Sequence, residues 1–276
     1  MSYTVGLPSL DRALGGLRGV VEAVGPPSSG KTTLCQHLLR HGGVYVSSEG
    51  RWDSTLAPGL VDEDQVLLIG GRSGEAILEA VALCLPDRVA VDPGSFLKPA
   101  EREGLRFWEH GEPGSRARLL AAGAGALARL CSQRGGVALF TQQTRENVGG
   151  WVSGRTKTAY GRGVEVAASC RLSMWRKGYL RRGHRKIGMR VHVRILTNLR
   201  RPPGQVVPLD LIWGKGFRES ASLLDLALSM GTAGKDGHWY RFGDVRLGHG
   251  RDEACCRLEE DGGLLDELSE VVSLRR

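Results

Sequence analysis

Cysteine supplies no framework in this chain. The six cysteines, Cys35, Cys84, Cys131, Cys170, Cys255 and Cys256, form no C-x-x-C pair and have no histidine at ligand spacing. That excludes a structural zinc site and fits reduced thiols in a cytosolic protein. No apolar stretch approaches the ~20 residues that a membrane-spanning helix needs. The segment from Met1 to Leu10 also lacks a charged region followed by an apolar one, so a soluble, cytosolic protein is expected. Aromatic residues make up only 6% of the sequence. What is present is ordinary for a globular chain: 276 residues, 41% hydrophobic and 25% charged, which excludes disordered, collagen-like and heptad-repeat classes. The forty glycines cluster between periodic segments, with no fixed repeat, and read as turns.

Acidic residues are missing from one region in particular. From Arg145 to Gln205 fifteen Lys and Arg face only Glu146 and Glu165, a net +13, so the remainder carries −5 of the total +8. A localised basic surface on a mildly acidic body is the footprint of a polyanion partner, although a merely solvated basic hairpin has the same composition. Trp151, Tyr160, Trp175 and Tyr179 interleave these cations. Bases stack on exposed rings while Arg and Lys hold phosphates; burial in a core is the commoner fate of such rings.

Short apolar runs at Val20–Val24, Val44–Val46, Val66–Ile69, Val89–Val91 and Val137–Phe140 suit buried parallel strands. Helical stretches at Lys31–Arg40, Gly74–Leu85 and Arg116–Ser132 separate them. This alternation predicts an α/β fold with a mostly parallel sheet covered by helices on both faces, whose ligands gather at the carboxyl ends of the strands. Beyond Phe140, extended segments at Cys170–Trp175, Met189–Thr197 and Val206–Ile212 are joined by a basic turn, Tyr179–Gly188, and by Pro202-Pro203-Gly204. They predict an antiparallel extension of the sheet. From about Arg218 the pattern reads helix, short hairpin around Gly243, helix, a small separate lobe. The expected division is a core over 1–217 and a small C-terminal α/β domain over 218–276.

Gly25-Pro26-Pro27-Ser28-Ser29-Gly30-Lys31-Thr32 fits G-x-x-x-x-G-K-[ST] between a predicted strand and a predicted helix, the setting a phosphate-binding loop requires. Backbone N–H groups and the helix N-terminus favour phosphate oxygens, Lys31 reaches the β and γ phosphates, and the Thr32 hydroxyl holds Mg²⁺. Asp92 ends the run Val89-Ala90-Val91, where a carboxylate meets the metal shell; a turn or capping Asp is the alternative. Glu49 follows Val44-Tyr45-Val46-Ser47-Ser48 at the end of another strand and is placed to polarise the attacking water, against the alternative of a surface loop acid. Thr141-Gln142-Gln143 closes the next strand, just before the basic segment. A Gln there senses the γ-phosphate by hydrogen bonding.

Taken in order, these residues resemble the bacterial RecA recombinases over nearly the whole chain. Leu10-Asp11-Arg12-Ala13-Leu14-Gly15 followed by Gly25–Thr33 is similar to the start of that family's ATPase core. Glu49 and then Asp53 resemble its catalytic glutamate and the aspartate that approaches adenine. Asp92 with Lys98-Pro99-Ala100-Glu101 resembles the Mg²⁺-associated strand and the entry to the first DNA-binding loop. Phe140–Arg145 resembles the sensor strand, with Gln143 on the glutamine that couples ATP to DNA. The resemblance implies a first loop marked by Arg106, Phe107, Trp108, Arg116 and Arg118. It implies a second loop over Arg145–Gly163, marked by Arg145, Trp151, Arg155, Lys157, Tyr160 and Arg162, with further phosphate contacts from Arg171 and Arg176. Gly237-His238-Trp239-Tyr240-Arg241-Phe242-Gly243 and Leu247-Gly248-His249-Gly250 resemble the family's small C-terminal domain.

The departures carry expectations of their own. The resemblance begins at the core, without the N-terminal helix and strand that dock family members on a neighbour, so any filament is expected to use another surface. Thr197 and Leu199 stand where the family has two lysines reaching the adjacent subunit's ATP, and Arg200 and Arg201 are the nearby candidates for that charge. Pro27 replaces an acid, Leu56 replaces an aromatic that stacks on adenine, and Trp213 is the candidate ring supplied by a neighbouring subunit. The sequence reads Leu274-Arg275-Arg276 where the family carries an acidic tail, so the restraint that tail places on duplex binding is expected to be missing. The resemblance implies a cytoplasmic DNA-dependent ATPase that uses ATP and Mg²⁺. It would bind single-stranded DNA and homologous duplex as a homo-oligomer or filament and promote pairing and strand exchange in recombination and repair. Its rivals are an ImuA-like RecA-fold accessory protein of translesion mutagenesis, without strand exchange, and a related P-loop motor acting on another polyanion.

Overall fold

A computed structural model describes residues 2–47, 52–70, 73–84, 86–94, 97–100, 114–145, 157–158 and 162–274, with the backbone alone at Ser54, Arg145, Lys157 and Thr158. Five parallel strands form its centre: β1 (Gly19–Gly25), β2 (Gly43–Val46), β3 (Val66–Ile69), β4 (Arg88–Val91) and β5 (Val137–Arg145). β1, β2 and β4 are short Val-rich runs with few polar interruptions, as strands buried on both faces require; β3 corrects the expectation of a buried strand, because it lies at the sheet edge and leaves Leu67 and Leu68 half exposed. Helix α1 (Pro8–Leu14) precedes β1. Helices α2 (Lys31–Leu38), α3 (Gly74–Cys84) and α4 (Ser115–Arg134) make the crossovers, and α5 (Gly163–Ala167) follows the two-residue strand β6 (Lys157–Thr158).

The sheet continues through β7 (Ala168–Arg182), β8 (Arg185–Asn198), β9 (Val206–Ile212) and β10 (Gly216–Phe217), in the order β10-β9-β8-β7-β1-β5-β4-β2-β3, with β6 paired to β5. β7 runs parallel to β1, and β8, β9 and β10 are antiparallel to their neighbours. Alternation along the strands feeds two cores. Val21, Ala23, Leu139 and Leu172 pack on the α2 side with Leu34 and Leu38. Val20, Ala138 and Phe140 pack on the α4 side with Leu119 and Leu120.

Two further expectations are corrected. Tyr179–Gly188 is not a broad turn: β7 and β8 continue through it as one long hairpin that closes at Gly183-His184, where Gly183 takes φ +60°. Cross-strand pairing holds the charged segment extended, because only Gly183 relieves the backbone strain of the turn. The C-terminal lobe is richer than helix, hairpin, helix. It comprises α6 (Glu219–Ser229), a three-stranded antiparallel sheet of β11 (Ala233–Asp236), β12 (Trp239–Phe242) and β13 (Val245–His249), then α7 (Arg251–Glu260) and α8 (Gly262–Leu274). Leu224, Tyr240, Leu247, Cys255, Leu258 and Leu268 close its own core. Ion pairs join the lobe to the sheet: buried Asp210 of β9 receives both Arg190 of β8 (2.8 Å) and Arg251 of α7 (3.1 Å).

Candidate functional site

Gly25 ends β1, and the loop that follows turns through Ser28 (φ +56°) and Gly30 (φ +88°) into α2. A Cβ on Gly25 would lie 2.2 Å from the Met174 carbonyl oxygen of β7, so the loop starts where strand packing admits no side chain. The Lys31 ammonium donates to Gly25 O (3.0 Å), Pro26 O (2.7 Å) and Ser29 Oγ (3.2 Å). Burial pulls its pKa down, and the charge of Asp92 works against that fall. A cation held on neutral oxygens at a helix N-terminus is suited to phosphate.

Asp92 lies immediately beyond β4 and is buried. One carboxylate oxygen accepts the hydroxyl of Thr141 from β5; the other accepts the Tyr45 hydroxyl of β2 at 2.9 Å. Its backbone N–H donates to Val46 O at 2.9 Å. Three strands thus aim one carboxylate at the edge where the loop sits, and Asp92 with the Thr32 hydroxyl is an oxygen set that fits Mg²⁺, a hard cation that draws its remaining ligands from phosphate and water. Among the described residues no group of three or more His, Cys, Asp or Glu forms a metal cage. Gln143 pairs in register with Gly25, one strand away from the loop. Beyond it, Thr144 and Arg145 pair with Thr158 and Lys157 of β6, which ties this early part of the basic segment to the strand that carries Gln143.

The other expected residues divide by location. Glu49, Arg106, Phe107, Trp108, Trp151, Arg155 and Tyr160 lie outside the described residues, and Arg145 and Lys157 are described in backbone only. Arg116 and Arg118 open α4. Arg162 is exposed and reaches Glu165 at 3.4 Å. Arg176 is exposed, with its guanidinium 4.6 Å from the centre of the Tyr179 ring. Arg171 is the exception: it is largely buried and ion-paired to Glu22 (2.5 Å) and Glu165 (2.9 Å), so its guanidinium is turned into the fold and away from solvent. Asp53 spends its carboxylate capping the short turn Ser54–Leu56, accepting from Thr55 N at 3.0 Å and Thr55 Oγ1 at 2.5 Å.

Arg200 and Arg201 are exposed beyond β8, whose last residue Asn198 pairs with Cys170 at the start of β7. That is the edge where β1 begins, opposite the phosphate loop. Trp213, half exposed, meets Tyr179 edge-on at 6.2 Å beside a groove of about 770 Å³ between the hairpin and the lobe.

Three polar residues take roles here that no sequence motif assigns. Glu22 had a visible signal, a lone acid inside the apolar run Val20–Val24; Tyr45 and Glu165 had none, since each acquires its role only from a partner on another element.

Comparison with known proteins agrees with this arrangement. A model of the RecA N-terminal domain matches residues 2–218, and one of the RecA C-terminal domain matches residues 221–274. Protein RecA of Rubrobacter xylanophilus is 34% identical over 287 residues, covering 98% of this chain and 83% of its own length. Protein RecA of Lactobacillus johnsonii is 34% identical over 280 residues, covering 96% and 77%. For Protein RecA of Chlorobium limicola the identity is 34% over 285 residues, covering 97% and 80%. The chain belongs to the RecA family.

Proposed function

We propose that this protein is an ATP-dependent, single-stranded-DNA-binding recombinase that pairs a bound strand with a homologous duplex in cytoplasmic DNA repair and recombination. The observation that carries the reading is the course of β5. Gln143 lies in register with the first residue of the phosphate loop, and the next two residues pair with Thr158 and Lys157, towards the end of the second loop. A change at the nucleotide therefore reaches the DNA-facing segment along one strand. Family membership favours this role over the accessory reading.

In this account Gly25, Pro26, Pro27, Ser28, Ser29, Gly30, Lys31, Thr32 and Thr33 hold the triphosphate, Thr32 and Asp92 support Mg²⁺, and Glu49 activates water. Gln143 couples the γ-phosphate to the second loop, and Trp213, Arg200 and Arg201 meet the nucleotide of an adjacent copy. Bound ATP favours the DNA-competent arrangement and hydrolysis releases it.

The test is ATP hydrolysis with and without single-stranded DNA, followed by strand exchange between a circular single strand and a linear duplex. DNA should stimulate turnover, Glu49→Gln should abolish it, and exchange should require ATP. Turnover indifferent to both DNA and Glu49→Gln would refute the recombinase mechanism.

A further inference from the structure

Gln142 and Gln143 are neighbours on β5 and face opposite sides of the sheet. Gln143 shares the α2 side with Thr141, which is bonded to Asp92. Gln142 shares the α4 side with Phe140, and there its Nε2 donates to Glu22 Oε1 at 2.8 Å. Glu22, in the middle of β1, is wholly buried. Its other oxygen accepts Arg171 Nε of β7 at 2.5 Å, and Arg171 Nη1 reaches Glu165 Oε1 of α5 at 2.9 Å. Burial raises the Glu22 pKa against the pull of Arg171. The chain of contacts thus runs β5, β1, β7, α5, and α5 begins at Gly163, where the second loop ends.

Burying a carboxylate is costly, and apolar residues of similar volume stabilise a core at least as well. A fully paired buried ion at this place is therefore better suited to fixing relative position than to adding stability. The Gln142 amide oxygen is itself buried and has no partner among the described groups, so the amide is held through its nitrogen alone.

We propose that Gln142, Glu22, Arg171 and Glu165 form a strut on the face of the sheet away from the nucleotide, which passes movement of β5 to α5 and so sets the exit of the second loop. Arg171 is on this view a positioning residue and makes no phosphate contact. The inference rests on the recombinase reading, because it assigns a route to the coupling that reading requires.

The experiment measures binding of a fluorescent oligo-dT by anisotropy, with a slowly hydrolysed ATP analogue and with ADP, over a range of salt. The ratio of the two affinities is the coupling. Glu165→Gln and Gln142→Leu should each lower that ratio about fivefold or more while DNA-free ATP hydrolysis stays at the wild-type rate. Arg171→Gln alone strands the Glu22 carboxylate, so Arg171 is tested in the double variant Glu22→Gln/Arg171→Gln, which leaves no buried charge unpaired. There the ratio should fall and the salt slope should stay unchanged. A slope reduced by about 1 would mean that Arg171 touches phosphate and would overturn the assignment. Unaltered ratios in all three variants, with the wild-type protein coupled, would overturn the strut alone. A wild-type protein whose DNA affinity ignores the nucleotide would overturn the recombinase reading together with the strut.

Discussion

His37 ties the phosphate-loop helix to two distant parts of the core, and it should make stability fall in mildly acidic solution. The imidazole is fully buried in α2. Its Nε2 accepts the Phe217 backbone N–H at 3.0 Å, which places the single proton of the neutral ring on Nδ1, 3.2 Å from Val5 O. Burial lowers its pKa from 6.5 to about 4; the bond to Val5 opposes the shift and Arg40 adds to it. Above pH 6.5 folded and unfolded chains are both neutral at this site. Between 6.5 and about 4 only the unfolded chain takes up the proton, so the stabilisation present at neutral pH is lost as pH falls through that window. A gap of roughly 2.5 units at ~1.4 kcal/mol each corresponds to about 3 kcal/mol. Asp11 acts in the opposite direction. Burial raises its carboxyl to about 6 against its bonds from Val5 and Leu7, so its contribution is lost as pH rises from about 4 to 6. The two groups share Val5, whose N–H donates to Asp11 Oδ1 at 2.8 Å, so the wild-type curve alone is ambiguous. The assay is urea unfolding of the wild-type protein and of His37→Gln, in both the native and the Asp11→Asn background, from pH 7.5 to 4.5. Glutamine keeps a hydrogen-bonding group within reach of Phe217 N and cannot titrate. The stability advantage of the His37 protein over the His37→Gln variant should shrink by about 2 kcal/mol or more on acidification. Parallel curves in both backgrounds would refute the reasoning.

Two further outcomes follow from paired carboxylates. Thr141→Val removes the hydroxyl that holds Asp92, so the Mg²⁺ concentration for half-maximal ATP turnover should rise about tenfold, with Thr141→Ser restoring it; an unchanged Mg²⁺ titration would show that Asp92 needs no such support. Arg251→Met deprives buried Asp210 of one of its two guanidiniums and Asp225 of its ion pair and should lower unfolding stability by about 2 kcal/mol, read from the urea midpoint at constant m; a midpoint unmoved from wild type would mean that Arg190 and solvent satisfy these carboxylates without Arg251.

The elements legible in advance were those whose signal is local. Val66–Ile69 and Val206–Ile212 form strands over those same residues, since short apolar runs flanked by turn residues have few other options. The phosphate loop was equally legible, because the motif contains its own glycines and cation. What escaped depended on partners remote in sequence. The hairpin segment Tyr179–Gly188 looked like a turn for its charge, yet pairing between β7 and β8 keeps it extended, and the Tyr179 ring carries Arg176 and Lys186 at 4.6 and 4.3 Å. Arg171 read as one more DNA-facing cation because sequence spacing does not reveal that Glu22, 149 residues earlier, lies beside it. Likewise the Asp53 carboxylate is engaged locally by Thr55, a turn interaction that its place in the family motif did not announce.

The charge asymmetry that first suggested a polyanion partner changes meaning once these partners are known. Part of the +13 over Arg145–Gln205 is neutralised within the fold. Arg171 meets Glu22 and Glu165, Arg182 meets Asp252 of the lobe at 3.0 Å, and Arg190 meets Asp210. The mildly acidic body is therefore partly the counter-charge of the hairpin, and the lobe is held against the sheet by it. Arg176, Arg181, Arg185, Lys186 and Arg194 remain exposed, and the charged ends of Arg176, Lys186 and Arg194 lie over aromatic rings that hold them without neutralising them. Fixing an extended cationic hairpin in this way lowers the ordering cost of meeting a phosphate backbone. The same cations with no ring beneath them would have to be ordered at the moment of binding.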